Sequence, residues 1–211
     1  MIKLYFSPGA CCMSCHIILE ETKTPFELVY VGKNADDKTR AQFLKINPLG
    51  AVPALSISTD KILTQNIAIL EYLADNNPNC HLLDKLGTFE RAEQMRWLSF
   101  IASDLHKAFS PLFNMNKITD NQTCQESIQT WVFATIEKYL TLVEKQLTNK
   151  SFLISDRFTV ADAYLFTVLR WTKAVNFSLE KYPAILHYLE NLAKRPSIMA
   201  VLAREEKFKS K

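Results

Sequence analysis

The chain has 211 residues, of which 48% are hydrophobic and 22% charged, and its formal net charge is +3. This composition predicts a globular protein large enough to bury its own core, and a charge this small does not favour nucleic acid as a partner. No stretch approaches the ~20 apolar residues that cross a membrane, so no membrane partner is expected. The first residues lack a secretory signal pattern and the cysteine count of 5 is odd, which together predict a cytoplasmic protein.

The first 77 residues alternate short β-rich runs with helical patterns. The predicted strands are 2–6, 26–31, 54–57 and 62–63, and the predicted helices are 13–22, 39–46 and 66–75. Turn-forming residues separate these elements. The order indicates an α/β domain over residues 1–77.

After a linker, strand patterns cease and the chain becomes helical. Apolar residues recur at three- and four-residue spacing in 88–115, 122–147, 159–175, 183–193 and 196–206. Thr159 and Asp162 fit a capping box, a structural signal worth about 1 kcal/mol. Residues 88–211 are therefore predicted to form an all-helical domain.

Three cysteines cluster where the first strand gives way to the first helix, at positions 11, 12 and 15. The first N–H groups of a helix lack intrahelical partners and carry partial positive charge. They are expected to lower the pKa of Cys11 and Cys12 and so to favour a reactive thiolate. Cys80 and Cys124 are expected to be small buried hydrophobic residues.

Two further loops carry signals of a binding site. A cis Val52–Pro53 peptide would expose the Val52 backbone to a peptide-like ligand, with a trans turn as the alternative. Asn66, which follows Gln65, fits the N-cap position of the next helix. The N–H groups of this helix start would attract a carboxylate, although a capping role without any ligand explains Gln65 and Asn66 equally well. Together with Cys11, these loops are predicted to meet at one end of a small sheet.

The segments KLYFSPGAC (3–11), FLKINPLGAVPAL (43–55) and ILTQNIAILEYL (62–73) closely resemble bacterial beta-class glutathione S-transferases. The resemblance continues through WLSFIASDLHK (97–107) and residues 158–166, so it covers essentially the whole chain. It implies a thioredoxin-like N-terminal domain, an all-helical C-terminal domain and a homodimer. The implied reaction is detoxifying conjugation of glutathione, a co-substrate, to small hydrophobic electrophiles, with thiol-disulfide exchange through Cys11 and no cofactor.

The resemblance also implies roles for individual residues. Cys11 would meet the glutathione sulfur, Val52 would pair with the cysteinyl backbone beside a cis Pro53, and His106 would lie near the sulfur as a second catalytic residue. The remaining implied glutathione-binding residues are Lys33, for the glycine carboxylate, Gln65 and Asn66, for the γ-glutamyl group, and Ser99, Ser103 and Asp104, with Asp104 reaching across the dimer.

Several positions depart from the family pattern. Gln65 and Asn66 stand where glutamate and a small residue are common, and Asp104 stands in place of glutamate. Cys12 and Cys15 replace the usual serine and proline.

The spacing of Cys12 and Cys15 matches the C-x-x-C-H pattern of glutaredoxins. Cys15 comes one helical turn after Cys12, where a redox-active disulfide could form. Alternatively, Cys15 packs inward as a small apolar residue. Too few neighbouring ligands accompany these cysteines to favour zinc, so no metal site is predicted.

Two other functions stay open at this point. A glutathione-dependent disulfide reductase would use Cys12 and Cys15. A non-catalytic binding or regulatory protein would keep the same fold, since fold does not fix function.

Overall fold

The structure is a computed structural model that describes residues 1–209, so the last two residues of the predicted 88–211 domain lie outside the described residues. Its strands form one mixed sheet in the order β2-β1-β3-β4. The strands are β1 (Ile2–Phe6), β2 (Phe26–Tyr30), β3 (Ala54–Ser58) and β4 (Lys61–Thr64). β1 pairs in parallel with β2 and antiparallel with β3, while β3 and β4 form an antiparallel hairpin.

The helices of the first half connect these strands and pack against them. They are α1 (Cys12–Glu21), α2 (Asp37–Ile46) and α3 (Asn66–Asp75). A single turn of 3-10 helix, Pro78–Cys80, follows α3.

The second half is helical throughout, apart from its connecting loops. Its helices are α4 (Phe89–Phe100), a π-helical segment (Ile101–Leu105), α5 (His106–Phe113), α6 (Met115–Ile118), α7 (Gln122–Leu147), α8 (Val160–Leu169), α9 (Trp171–Ala174), α10 (Pro183–Ala193) and α11 (Pro196–Lys209). None of the described helices is long and apolar enough to cross a membrane.

Helix α1 lies in the interior, between the sheet and the helical half. Every residue from Cys12 to Leu19 is buried, and α1 packs against α3 on one side and against α8 and α11 on others. A helix buried on all sides needs apolar or small residues around its circumference, which the sequence CMSCHIIL supplies except at His16, whose Nδ1 lies 3.1 Å from the Glu205 carboxylate. The start of α1, with Cys11, is thereby held at the junction of the two halves.

The predicted fold class is confirmed, a thioredoxin-like α/β half followed by an all-helical half. The predicted strands and helices are present with ends shifted by a few residues, and the domain limits at 77 and 88 stay a prediction. The helical pattern predicted over 88–115 is present to Phe113, with a π-helical segment at Ile101–Leu105 that the spacing did not predict, and the pattern over 159–175 is divided into α8 and α9.

The predicted capping box is also present. The Asp162 carboxylate accepts hydrogen bonds at 2.8 Å from the backbone N–H and the hydroxyl of Thr159. It accepts two more, from the N–H of Leu153 at 2.7 Å and the hydroxyl of Tyr188 at 3.0 Å. Asp162 is fully buried, and its carboxylate connects α8 to the preceding loop through Leu153 and to α10 through Tyr188.

Candidate active site

A cleft of about 330 Å³ opens between the end of the sheet and the helical half. The first half contributes Cys11, loop residues between 47 and 53, and residues 64–67 at the start of α3. The helical half contributes Ala102, His106, Lys107 and Tyr164. The structure therefore brings together Cys11, Val52, Pro53, Gln65, Asn66 and His106 from the predicted set.

Cys11 occupies the N-cap position of α1 and its side chain is half-buried. Its thiol donates a hydrogen bond to the carbonyl oxygen of Val52, with the sulfur 3.3 Å from that oxygen. Burial raises the pKa of Cys11 to about 11, and the backbone N–H groups at the helix start and the Lys107 cation oppose this only in part. The predicted lowering of the pKa is therefore wrong for Cys11 and also for Cys12, because desolvation outweighs the helix start at both positions.

The Val52–Pro53 peptide bond is cis, which confirms that prediction. Gln65 lies across the cleft, directly before α3, with a φ of 72° that residues other than glycine rarely adopt. Gln65, not Asn66, is the N-cap residue, and its exposed side chain makes no capping hydrogen bond. The predicted N-cap role of Asn66 is therefore wrong.

The side chain of Asn66 is buried instead between α1 and α3. Its amide nitrogen donates to the Ser14 hydroxyl at 2.9 Å, and its amide oxygen accepts from the thiol of Cys15 at 3.2 Å. Buried polar atoms need such partners, so packing of the two helices fixes this orientation. The hydrogen-bonding groups of this side chain are thus engaged within the protein.

His106 is the first residue of α5 and lines the cleft next to Cys11. Its ring Nδ1 lies 2.7 Å from the hydroxyl oxygen of Tyr164, and the ring of Trp171 packs edge-on against it at 4.6 Å between centroids. Burial, with a smaller contribution from Lys107, lowers the pKa of His106 to about 4. The imidazole is therefore neutral at physiological pH.

Tyr164 has a pKa raised by burial and by the neighbouring cysteines, so its hydroxyl keeps its proton. A protonated phenol can donate to Nδ1 or accept from it, so the 2.7 Å contact is compatible with either neutral tautomer of the imidazole. In the tautomer whose Nδ1 accepts from Tyr164, Nε2 carries the ring proton and can donate. The sequence did not single out Tyr164, because it stands among apolar residues in a helix that is buried throughout.

The other predicted glutathione-binding residues do not line this cleft. Ser99, Ser103 and Asp104 lie on α4 and the π-helical segment, where the Ser103 hydroxyl donates to the Ser99 carbonyl and to the Asp104 carboxylate. Lys33 is exposed in the loop before α2, and its backbone carbonyl accepts a hydrogen bond from Arg40. The roles of these four predicted residues stay predictions.

Cys12 and Cys15 are fully buried and both are free thiols. The Cys12 thiol donates to the Ser7 carbonyl at 3.2 Å, and burial raises the pKa of both thiols well above its usual range. The packing of α1 in the interior therefore matches the inward-packing alternative for Cys15. A redox role for the pair would need this region to open.

Cys80 and Cys124 are exposed, which makes the prediction of buried residues wrong. Cys80 ends the 3-10 turn after α3, and Cys124 lies in the first turn of α7. Both segments lie outside the apolar core, so these thiols face solvent. Among residues 1–209, no group of three histidine, cysteine or acidic side chains is placed to hold a metal ion.

A second cleft of about 770 Å³ adjoins the first and shares Cys11 and His106 with it. Its other lining residues come from the loop before α1, from α5 and from the end of α8 with α9, namely Pro8, Gly9, Ala10, Phe113, Arg170, Trp171, Lys173 and Ala174. Phe113 of α5 lines this cleft, whereas Phe109, one helical turn earlier, is buried in the core.

The loop before Cys11 is held by two side chains of the helical half. The indole nitrogen of Trp171 donates to the Gly9 carbonyl at 2.8 Å, and the Gly9 N–H donates to the Glu205 carboxylate at 2.8 Å. Gly9 has a φ of 74°, a conformation that glycine adopts without a steric cost. No sequence motif predicted these contacts, because they join positions far apart in the chain.

Comparison with known proteins identifies the family. Residues 1–75 match the family model described as glutathione S-transferase, N-terminal domain, and residues 103–205 match that of the C-terminal domain. A curated relative, glutathione S-transferase GstA of Escherichia coli O157:H7, is 38% identical over 97% of this chain and 98% of its own length. The chain belongs to the glutathione S-transferase family.

Solved members of the glutathione S-transferase family share the same architecture. A sphingomonad glutathione S-transferase, solved in complex with glutathione, is 35% identical with a TM-score of 0.85, over 97% of this chain and 98% of its own. The beta-class enzyme of Sphingomonas chungbukensis is 37% identical with a TM-score of 0.84, over 96% and 98% of the two chains. These comparisons confirm the predicted resemblance to beta-class glutathione S-transferases and the predicted function as a glutathione S-transferase.

Proposed function

We propose that this glutathione S-transferase binds glutathione in the first cleft and conjugates it to small electrophiles that enter the second. The observation that carries the proposal is the convergence of Cys11, the Val52 backbone and the start of α3 around one cleft. The second cleft meets the first at Cys11 and His106, where a glutathione sulfur and an electrophile would come together.

Each part of glutathione has a matching feature in the first cleft. The Val52 backbone beside the cis Pro53 would pair with the cysteinyl unit, as one strand pairs with another. Gln65 and the free N–H groups at the start of α3 would hold the γ-glutamyl carboxylate, and Asn66 would contribute through its backbone. For the glycine carboxylate we favour Lys107, which lines the cleft, over Lys33, which does not.

Two neutral donors are available to stabilise the glutathione thiolate. His106 would donate from Nε2 in the tautomer whose Nδ1 accepts from Tyr164. Cys11 would donate its S–H, since its raised pKa keeps it protonated. The glutathione proton leaves to solvent, the thiolate then forms a C–S bond to the electrophile, and the leaving group departs with its electron pair.

Thiol-disulfide exchange through Cys11 is proposed as a slower second reaction. The Cys11 thiolate would attack one sulfur of glutathione disulfide, forming a mixed disulfide and releasing glutathione thiolate. Only the ionised fraction of Cys11 reacts, so this exchange is expected to accelerate with rising pH.

We further propose a cytoplasmic homodimer in which the exposed residues Ser99 and Ser103 and the half-buried Asp104 face the partner. The position of these three residues supports the proposed dimer contact, because they lie on α4 and the π-helical segment next to the cleft but do not line it. Asp104→Ala is expected to raise the glutathione KM and leave the dimer intact. A monomer in light scattering would contradict the assembly.

Conjugation kinetics with chlorodinitrobenzene, alongside retention on immobilised glutathione, test the main proposal. Cys11→Ala is expected to lower kcat/KM about tenfold, because it removes one weak neutral donor and a neutral hydrogen bond is worth about 1 kcal/mol. Cys80→Ala, an exposed thiol distant from both clefts, serves as the matched control and should leave kcat/KM unchanged. A wild-type protein that neither binds glutathione nor conjugates it would refute the proposal.

A further inference from the structure

The second cleft combines aromatic walls with two cations. Trp171 and Phe113 pack edge-on at 5.5 Å between centroids, and Phe113 is 50% exposed. Arg170 and Lys173 flank Trp171 in sequence, and all four residues line the cleft. Among its described lining residues there is no carboxylate. Its volume of about 770 Å³ falls in the range of small-molecule sites.

The Arg170 guanidinium lines the second cleft. It lies over the Phe166 ring at 5.4 Å. Arg170 is half-buried, and burial lowers its pKa in spite of the charges of Glu205 and Glu206. The charged form of a half-buried arginine is stabilised when an anion accepts hydrogen bonds from its guanidinium.

The nearby carboxylates do not fill this role inside the cleft. Glu205 is buried, accepts the Gly9 N–H at 2.8 Å and lies 3.1 Å from Nδ1 of His16. Neither Glu205 nor Glu206 lines the cleft. The cationic wall therefore faces the space that an electrophile would occupy, and it does so beside aromatic rings.

We propose that this cleft selects aromatic electrophiles that carry an anionic group, such as a carboxylate or a sulfonate. The ring packs against Trp171 and Phe113, and Arg170 and Lys173 bind the anion. The inference rests on the proposed function and narrows its substrate class from hydrophobic electrophiles to anionic aromatic ones. For a chloronitrobenzoate, the C–S bond forms at the carbon bearing chlorine, and chloride leaves with the electron pair of the broken C–Cl bond.

The test compares chloronitrobenzoate with the neutral chloronitrobenzamide of the same substitution pattern. Each kcat/KM is divided by the uncatalysed rate constant with glutathione, which removes the intrinsic difference in reactivity. The normalised ratio is expected to favour the benzoate and to fall as salt concentration rises. Arg170→Gln should lower the ratio about tenfold and Lys173→Gln about threefold, since the arginine is less exposed.

Two further variants complete the design. Arg170→Lys keeps the cation and should retain part of the preference, which separates loss of charge from loss of folding. Lys150→Gln removes an exposed cation outside both clefts and should leave the ratio unchanged.

The outcomes distinguish this inference from the proposed function. Conjugation of the benzamide without any preference for the benzoate, or a ratio that Arg170→Gln does not change, overturns the inference alone. Conjugation of chlorodinitrobenzene with no conjugation of the benzoate also overturns the inference alone, whereas no conjugation of any of the three substrates, with no retention on immobilised glutathione, overturns the proposed function and this inference with it.

Discussion

Cys11 is expected to be protonated in the ligand-free protein at neutral pH. Its pKa of about 11 means that about one Cys11 in ten thousand is ionised at pH 7. An ordinary cysteine, with a pKa near 8.5, is about 3% ionised at that pH. The thiolate fraction of Cys11 is therefore about 300-fold smaller than that of an unperturbed thiol.

Alkylation by iodoacetamide as a function of pH measures this directly, because only the thiolate reacts. Mass spectrometry of the Cys11 peptide separates it from the other thiols, and the same peptide from urea-unfolded protein serves as the control. The folded protein should show a midpoint near 11 and the unfolded protein one near 8.5. A folded-state midpoint at or below 8.5 would refute the argument that desolvation outweighs the start of α1.

Three other changes test the electrostatics and packing around the site. Lys107→Gln should raise the pKa of Cys11 and the pKa of His106, because the Lys107 cation favours the thiolate and disfavours the imidazolium. Alkylation measures the first pKa and NMR titration the second, and a decrease in either pKa would contradict this. Tyr164→Phe removes the hydroxyl that contacts Nδ1 of His106 and should lower kcat/KM about tenfold, the order expected for one hydrogen bond of about 1 kcal/mol, without a comparable loss of stability; an unchanged kcat/KM would exclude a positioning role for Tyr164. Asp162→Ala leaves buried donors without an acceptor and should reduce the free energy of unfolding by about 3 kcal/mol in urea titrations, with no direct effect on the site. A reduction below about 1 kcal/mol would contradict a stabilising role for the hydrogen bonds to this carboxylate.

The sequence predicted the elements whose periodicity is strong. The hydrophobic spacing in α7 and α10 gave their limits correctly, since nothing competes with the helical pattern there. The π-helical segment escaped prediction because the apolar spacing through 97–105 remains compatible with a helix. His106, the residue that follows this segment, lines the cleft, whereas Ser99 and Ser103 do not.

The chemistry of the site was harder to predict than its location. Local sequence indicated that Cys11 starts a helix, but its pKa depends on burial by residues from the distant helical half. The inward orientation of Asn66 likewise depends on partners in α1, Ser14 and Cys15, that become neighbours only when α3 packs against it. The pKa of Cys11 and the orientation of Asn66 therefore depend on tertiary contacts, which a local sequence motif does not show.

A crystal structure of the protein with glutathione tests the central claim most directly. The account predicts density for the tripeptide in the first cleft, with its sulfur within about 4 Å of the Cys11 sulfur, as contact between the two requires, and its cysteinyl backbone paired with Val52. Its γ-glutamyl end should lie at Gln65 and the start of α3. Glutathione bound elsewhere, or an empty first cleft at saturating glutathione, would contradict the account.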